Sequence, residues 1–167
     1  QCLKQYKQAE TYLLLGIEKE QDNNTRWSVM DRLSLLYYDM GEYKKCIDVC
    51  TQIIREDPGY YPAYLRRQQA AYKDHNAELV IDDFYSSLRI FTKYYLPYLL
   101  AVKVFVAFRQ YEDAKKVLEL AEGEGVHQEM LTLYNIRVRR NLARTDQEYQ
   151  EALDMCDTLL NELEKKK

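Results

Sequence analysis

A shift of 34 positions lays this sequence over itself, and that self-similarity constrains the fold more than any single residue does. Tyr38 falls on Tyr72, Tyr60 on Tyr94, Tyr61 on Tyr95, Tyr64 on Tyr98 and Leu65 on Leu99. A second shift carries Tyr43, Cys46, Cys50 and Ile53 through Ala77, Val80, Phe84 and Ser87 to Tyr111, Ala114, Leu118 and Ala121. A repeat of this length is one supersecondary unit that cannot cover its own apolar face, so copies must stack and bury each against the next.

Each copy reads as a helical hairpin. Met30, Leu33 and Tyr37 recur at steps of three and four, Asp39-Met40-Gly41 interrupts, and Tyr43, Cys46, Cys50 and Ile53 resume the period until Asp57-Pro58-Gly59. Pro58 lacks an amide hydrogen and restricts Asp57, so the second helix is predicted to stop there. With 3 Pro and 5 Gly in the chain, punctuation is sparse and helices are favoured over short strands. The small residues Cys46, Ala114 and Ala152 are expected where helices approach closely, opposite bulky Tyr or Leu.

The ends follow the same scheme with defects. Tyr6, Ala9, Leu13 and Gly16 repeat the second-helix spacing, and residues 18–25 form a polar connection with Asn24 or Thr25 as the expected helix cap. Tyr149, Ala152, Cys156 and Leu159 restore the pattern four residues late, which predicts a longer loop around Ala143 to Gln147 or an extended first helix. The terminal LNELEKKK reads as the frayed, soluble end of a capping helix. The chain thus divides into a single domain over 1–167: a lone second helix over 1–21, central repeats over 27–60, 61–94 and 95–128, and a diverged terminal repeat over 129–165. It enters in mid-repeat on Gln rather than Met, so it is expected to be a piece of something longer.

Composition narrows the function. A formal net charge of -3 weighs against a general nucleic-acid binder. No apolar run is long enough to span a membrane, and the start QCLKQYKQAE lacks a signal-peptide core. Cys46 and Cys50 are helical neighbours without a redox or zinc spacing and are expected to be reduced and buried, in keeping with a cytoplasmic chain. The 16 Tyr suit packing surfaces that stay partly open to water. His75 and His127 are isolated in inter-helix breaks, and no Gly-rich phosphate loop, metal spacing or nucleophile-base pair is present. The chain is therefore read as no enzyme, with no cofactor and no metal.

The spacing resembles the tetratricopeptide repeat family. The match is clearest at Met30, Leu33, Ser34, Tyr37, Cys46, Cys50, Ile53 and Pro58, with Gly41 and Tyr43 at the turn. The next copy matches at Tyr64, Ala71, Val80 and Phe84 and departs at Arg67, Gln68 and Thr92. The third has Tyr98, Ala101, Phe105, Tyr111, Ala114, Leu118 and Ala121, with Arg109 in place of the turn Gly and Val126 in place of the Pro. A fainter similarity is to repeat segments of bacterial proteins linked to a co-chaperone J domain, although no HPD signature occurs.

The resemblance implies an all-α, right-handed solenoid of antiparallel helix pairs whose first helices line a concave face for proteins or peptides. On that reading the groove comprises Asp31, Leu35, Tyr38, Leu65, Gln69, Tyr72, Leu99, Lys103 and Val106. The family's carboxylate clamp is disfavoured, because the corresponding positions carry a cation in one copy of three. Arg137, Arg140 and Arg144 are expected to share one helix face as a patch for an anionic partner. Asp82 and Asp83 read as a cap or as solvated surface. The function expected is a binding scaffold, the alternative a structural spacer or self-association module, with nucleic acid and membrane disfavoured as partners.

Overall fold

The computed structural model describes residues 2–20, 22–127 and 129–165, and their side chains except at positions 2–4 and 24. Among the described residues the secondary structure is all helical: α1 (Cys2–Lys19), α2 (Asn23–Asp39), α3 (Tyr43–Glu56), α4 (Tyr61–Lys73), α5 (Ala77–Leu88), α6 (Tyr95–Ala107), α7 (Tyr111–Gly123), α8 (Glu129–Leu142) and α9 (Asp146–Lys165). The chain forms two compact units, one ending at Phe91 and holding α1–α5, the other starting at Thr92 and holding α6–α9.

In the N-terminal unit each helix packs on the next, and α2 also meets α4. Met30, Leu33 and Tyr37 of α2 bury against Cys46, Cys50 and Ile53 of α3 and Ala63 and Ala70 of α4, with Leu13 and Ile17 of α1 on the flank. The predicted helical stripes are therefore the core. Tyr37 buries its ring while its hydroxyl donates to Glu10 of α1 at 2.9 Å. Burial and that acceptor raise its pKa to about 12. Cys46 and Cys50 are free and buried. Hydrogen bonding to Cys50 and burial hold the Cys46 thiol well above its ordinary range, so it behaves as a small apolar side chain.

The departures of α4 from the repeat pattern are a polar bridge. Arg67 lies between three helices: its Nε and NH2 donate to Asp83 of α5 at 2.6–3.2 Å, and its NH1 donates to Thr51 of α3 at 2.9 Å. The Asp83 side chain is 1% exposed and that of Arg67 14%. Gln68, also buried, donates to the carbonyl of Val80 at 3.1 Å. Asp83 thus neither caps nor solvates α5, as its position in sequence had suggested, while Asp82 is exposed. A buried carboxylate demands a partner, and the residues foreign to the pattern on α4 supply it.

In the C-terminal unit α6 packs on α7 and α8, and α8 on α7 and α9. Apolar residues surround α6 on all sides, and Leu99, Leu100, Val102, Val104 and Val106 are buried, as expected of a helix without a polar face. Ala114 of α7 and Ala152 of α9 are buried, so the small positions read from the sequence do lie in the interior.

One closure recurs at the end of four helices. The amides of Gly41 and Glu42 donate to Tyr38 and Tyr37, those of His75 and Asn76 to Tyr72 and Ala71, those of Arg109 and Gln110 to Val106 and Phe105, and those of Gly125 and Val126 to Glu122 and Ala121. This paired pattern is the Schellman motif, whose penultimate residue takes a left-handed conformation. Gly41, His75, Arg109 and Gly125 have φ of 76°, 59°, 57° and 68°. His75 and Arg109 stand where Gly would be unstrained. Arg109→Gly is therefore expected to stabilise the chain by up to about 1 kcal/mol, read as a higher urea midpoint; a lower midpoint would show that the Arg109 side chain contributes more than its strained backbone costs.

Two boundary expectations need correction. The cap of α2 is Asp22, whose carboxylate accepts from the Thr25 amide and hydroxyl at 2.8 and 2.7 Å, so Thr25 is the donor rather than the cap. Asn24 lies inside α2, and its side chain is outside the described residues, as are Lys166 and Lys167 of the charged tip. The late return of Tyr149 comes neither from a longer loop nor from a substantially longer α8. It comes from an added turn at the start of α9, which begins at Asp146. Thr145 and Glu148 cap that turn reciprocally: the Glu148 amide donates to Thr145 Oγ1 at 3.2 Å and the Thr145 amide to Glu148 Oε2 at 3.1 Å.

Candidate functional site

The first helices of the N-terminal unit, α2 and α4, lie side by side, and an ion pair on this face joins them. Arg66 of α4 approaches Asp31 of α2 at 3.4 Å, with both side chains about a fifth exposed. Ser34 is tied back to the Asp31 carbonyl at 2.7 Å, which steadies the turn that presents Asp31. One turn on, Leu35 is 42% exposed although it lies inside α2. Tyr38 follows, half-buried, with its ring edge-on to Tyr43 at 5.6 Å. Burial raises the Tyr38 hydroxyl above its ordinary pKa.

Leu65, Gln69 and Tyr72 repeat these positions on α4 and are each partly exposed. Tyr60, at the entrance to α4, has its pKa raised by burial and then by Asp31. The result is a mixed face of Leu and Tyr bordered at one end by a charge pair, carried on helices whose backbone hydrogen bonds are already made. Such a face orders little backbone when it binds an extended or helical segment.

In the C-terminal unit the expected groove residues fare differently. Leu99 and Val106 are 5% and 4% exposed and belong to the interior, so neither offers surface to a ligand. The reason is that α6 is apolar all round, and periodicity cannot tell which side of such a helix stays open. Lys103 remains partly exposed on α6. Arg137 and Arg140 are exposed on α8, one turn apart. Arg144 is not on their face, because α8 ends at Leu142 and the Arg144 amide instead donates to Glu148 at 2.7 Å.

Met130 and Leu133 of α8 are 40% and 46% exposed, and the sequence reading passed over both. The signal that finds Leu133 is the period itself, since Leu133, Arg137 and Arg140 follow Leu99, Lys103 and Val106 by one repeat.

Among the described residues no three His, Cys, Asp or Glu side chains converge as a metal site. No described helix is long and apolar enough to cross a membrane. A cleft of about 150 Å³ is lined by Lys115, Arg139, Leu142, Ala143, Glu148 and Glu151.

No family model matches the chain, and no curated protein does. Solved structures do. A tetratricopeptide repeat protein from Parabacteroides merdae superposes with a TM-score of 0.76 at 13% identity, over 92% of this chain. This chain spans 59% of that protein's length. The first TPR domain of the human RPAP3 protein superposes with a TM-score of 0.55 at 18% identity, over 81% of this chain and 95% of the domain. At these identities the likeness shows the fold: paired antiparallel helices repeated in the tetratricopeptide manner. Neither structure supports the J-domain resemblance.

Proposed function

We propose that the chain is a non-catalytic scaffold that binds a protein or peptide segment on the first-helix face of α2 and α4. The observation that carries this reading is the exposed Leu35 between Asp31 and Tyr38, beside the matching row of Leu65, Gln69 and Tyr72. An apolar centre with a charged and hydroxylated border is the composition of a small interface core and rim. Panning the chain against a peptide library and titrating the selected peptides tests it. Leu35→Asp and Tyr72→Ala are each expected to weaken the selected peptides by about tenfold or more, as central contacts do. Peptides that bind both variants as tightly as the native chain would place the site elsewhere.

A second reading, self-association, is favoured by one observation. Tyr12 on α1 is 75% exposed, and Tyr149, Leu153 and Leu160 form an exposed apolar row on α9. The same preparations decide between the two. A mass that rises with concentration, together with no selected peptide, favours assembly; a monomer with selected peptides favours the groove.

A further inference from the structure

We infer that the groove between α8 and α9 in the C-terminal unit docks a basic amphipathic helix of a partner protein, at a site separate from the face of α2 and α4. The groove has a volume of about 460 Å³. Its α9 wall is Glu151, Asp154, Met155, Thr158, Leu159 and Glu162, and Thr132 of α8 closes the other side. Those α9 positions recur at helical spacing, so they form one face running about 17 Å, or three turns. Tyr149, Leu153 and Leu160, the exposed row that bears on self-association, lie round the other flank of α9.

The floor of the groove is apolar and its rim is acidic. Leu159 is buried and Met155 half-buried, while Glu151, Asp154 and Glu162 are exposed around them. Along Asp146–Lys165 every charged residue except Lys165 is acidic, and among the described residues no cation pairs with any of these carboxylates. Lys115 and Arg139 share a neighbouring cleft with Glu151, but Lys115 pairs with Glu119 and Arg139 donates to Asn135. Like charges one turn apart oppose helix formation slightly. The helix dipole favours Asp146 and Glu148 in the first turn of α9 and disfavours Glu162 in the last, so helix stability does not account for the rim. Cations laid along it would offset the repulsion.

Floor and rim together select the occupant. Lys and Arg lay their methylene stems on apolar surface and carry the charge outward. A helix with Leu-like residues along one side and Lys or Arg flanking them would bury the first against Met155 and Leu159 and bring the second to the three carboxylates. An acidic rim repels a polynucleotide or an anionic lipid surface. Among the described residues no three carboxylates converge on a point, so the rim is not a cage for a metal ion.

The test uses the whole chain and a fluorescein-labelled helical peptide of Leu and Lys, with Leu on one side, followed by anisotropy. The triple variant Glu151→Gln, Asp154→Asn and Glu162→Gln is expected to weaken binding about tenfold, the sum of three exposed charge contacts. Its helix content should not change, because the amides keep the acceptors that Gln147 and Gln150 use. Met155→Ser is expected to weaken the peptide as well, and Leu35→Asp on α2 to leave it unaffected. Native-like binding by the triple variant overturns the assignment. So does equal binding of a scrambled peptide of the same composition, which would show attraction of charge alone, and so does loss of binding in Leu35→Asp, which would move the peptide to the face of α2 and α4. A mass that rises with concentration in the native chain but not in the triple variant would give the groove to a second copy and also overturn it. Failure of this peptide to bind at all removes the α9 site and leaves the scaffold reading of α2 and α4 standing on its own panning experiment.

Discussion

Arg67→Met is expected to destabilise the N-terminal unit by about 3–5 kcal/mol at neutral pH, the cost of leaving a buried charge without its partner. The substitution removes the donors to Asp83 and Thr51 together, along with the guanidinium that lies over the Tyr64 ring at 5.8 Å. The effect should depend on pH with a definite sign. Burial raises the Asp83 carboxyl above its ordinary 3.8, and Arg67 opposes that rise only in part. The folded chain therefore holds this proton more tightly than the unfolded chain, and its stability falls as pH rises from near 3.8 through the folded value.

Without Arg67 the carboxyl rises further, so the penalty of the variant should shrink on acidification as Asp83 becomes neutral. Trp27, the single tryptophan, lies on α2 in the same unit and reports the unfolding by fluorescence. Replacing both partners, Arg67→Met with Asp83→Leu, should recover most of the loss, because a matched apolar pair leaves no buried charge. A single variant as stable as the native chain, or a penalty that grows toward acid, would falsify the bridge as a buried, charge-dependent joint.

Ala114→Leu should cost about 1–3 kcal/mol by forcing α7 away from its neighbours. Ala114 has no exposed surface, and α7 packs on both α6 and α8. Methyl groups added there must displace side chains already in contact, and a close-packed interior yields little. The neighbouring position is the control. Lys115 is 45% exposed in its side chain and pairs with Glu119 at 3.7 Å, so Lys115→Leu should change stability by less than about 0.5 kcal/mol. Urea titration followed by circular dichroism separates them, and equal midpoints for the two variants would place Ala114 outside the packed interior.

The helix pairs were legible because their signals are local. Met30, Leu33 and Tyr37, then Cys46, Cys50 and Ile53, share a face through spacing alone, and all six are buried. The left-handed turn residue was half legible: Gly41 marks it by type, while His75 and Arg109 mark it only by position. In the N-terminal unit the residues expected in the groove do reach the surface, because α2 and α4 each carry polar residues that distinguish an open side. On α6 no polar residue except Lys103 does so, and Leu99 and Val106 were assigned to the wrong side. The grouping of Arg144 with Arg137 and Arg140 failed because it conflicts with the loop expected around Ala143 to Gln147: α8 ends at Leu142, and Arg144 lies between α8 and α9.

What the amino-acid sequence alone determined is the recurring hairpin: the period of 34, the stripes that become the core, and the small residues at close approaches. These follow from contacts within one turn of helix or one repeat, which residue spacing encodes directly. The tertiary structure decided which polar side chains become partners, Arg67 with Asp83 and Arg66 with Asp31. Those outcomes depend on distances between separate helices and on burial, which sets whether a charge must find a partner or stays in water.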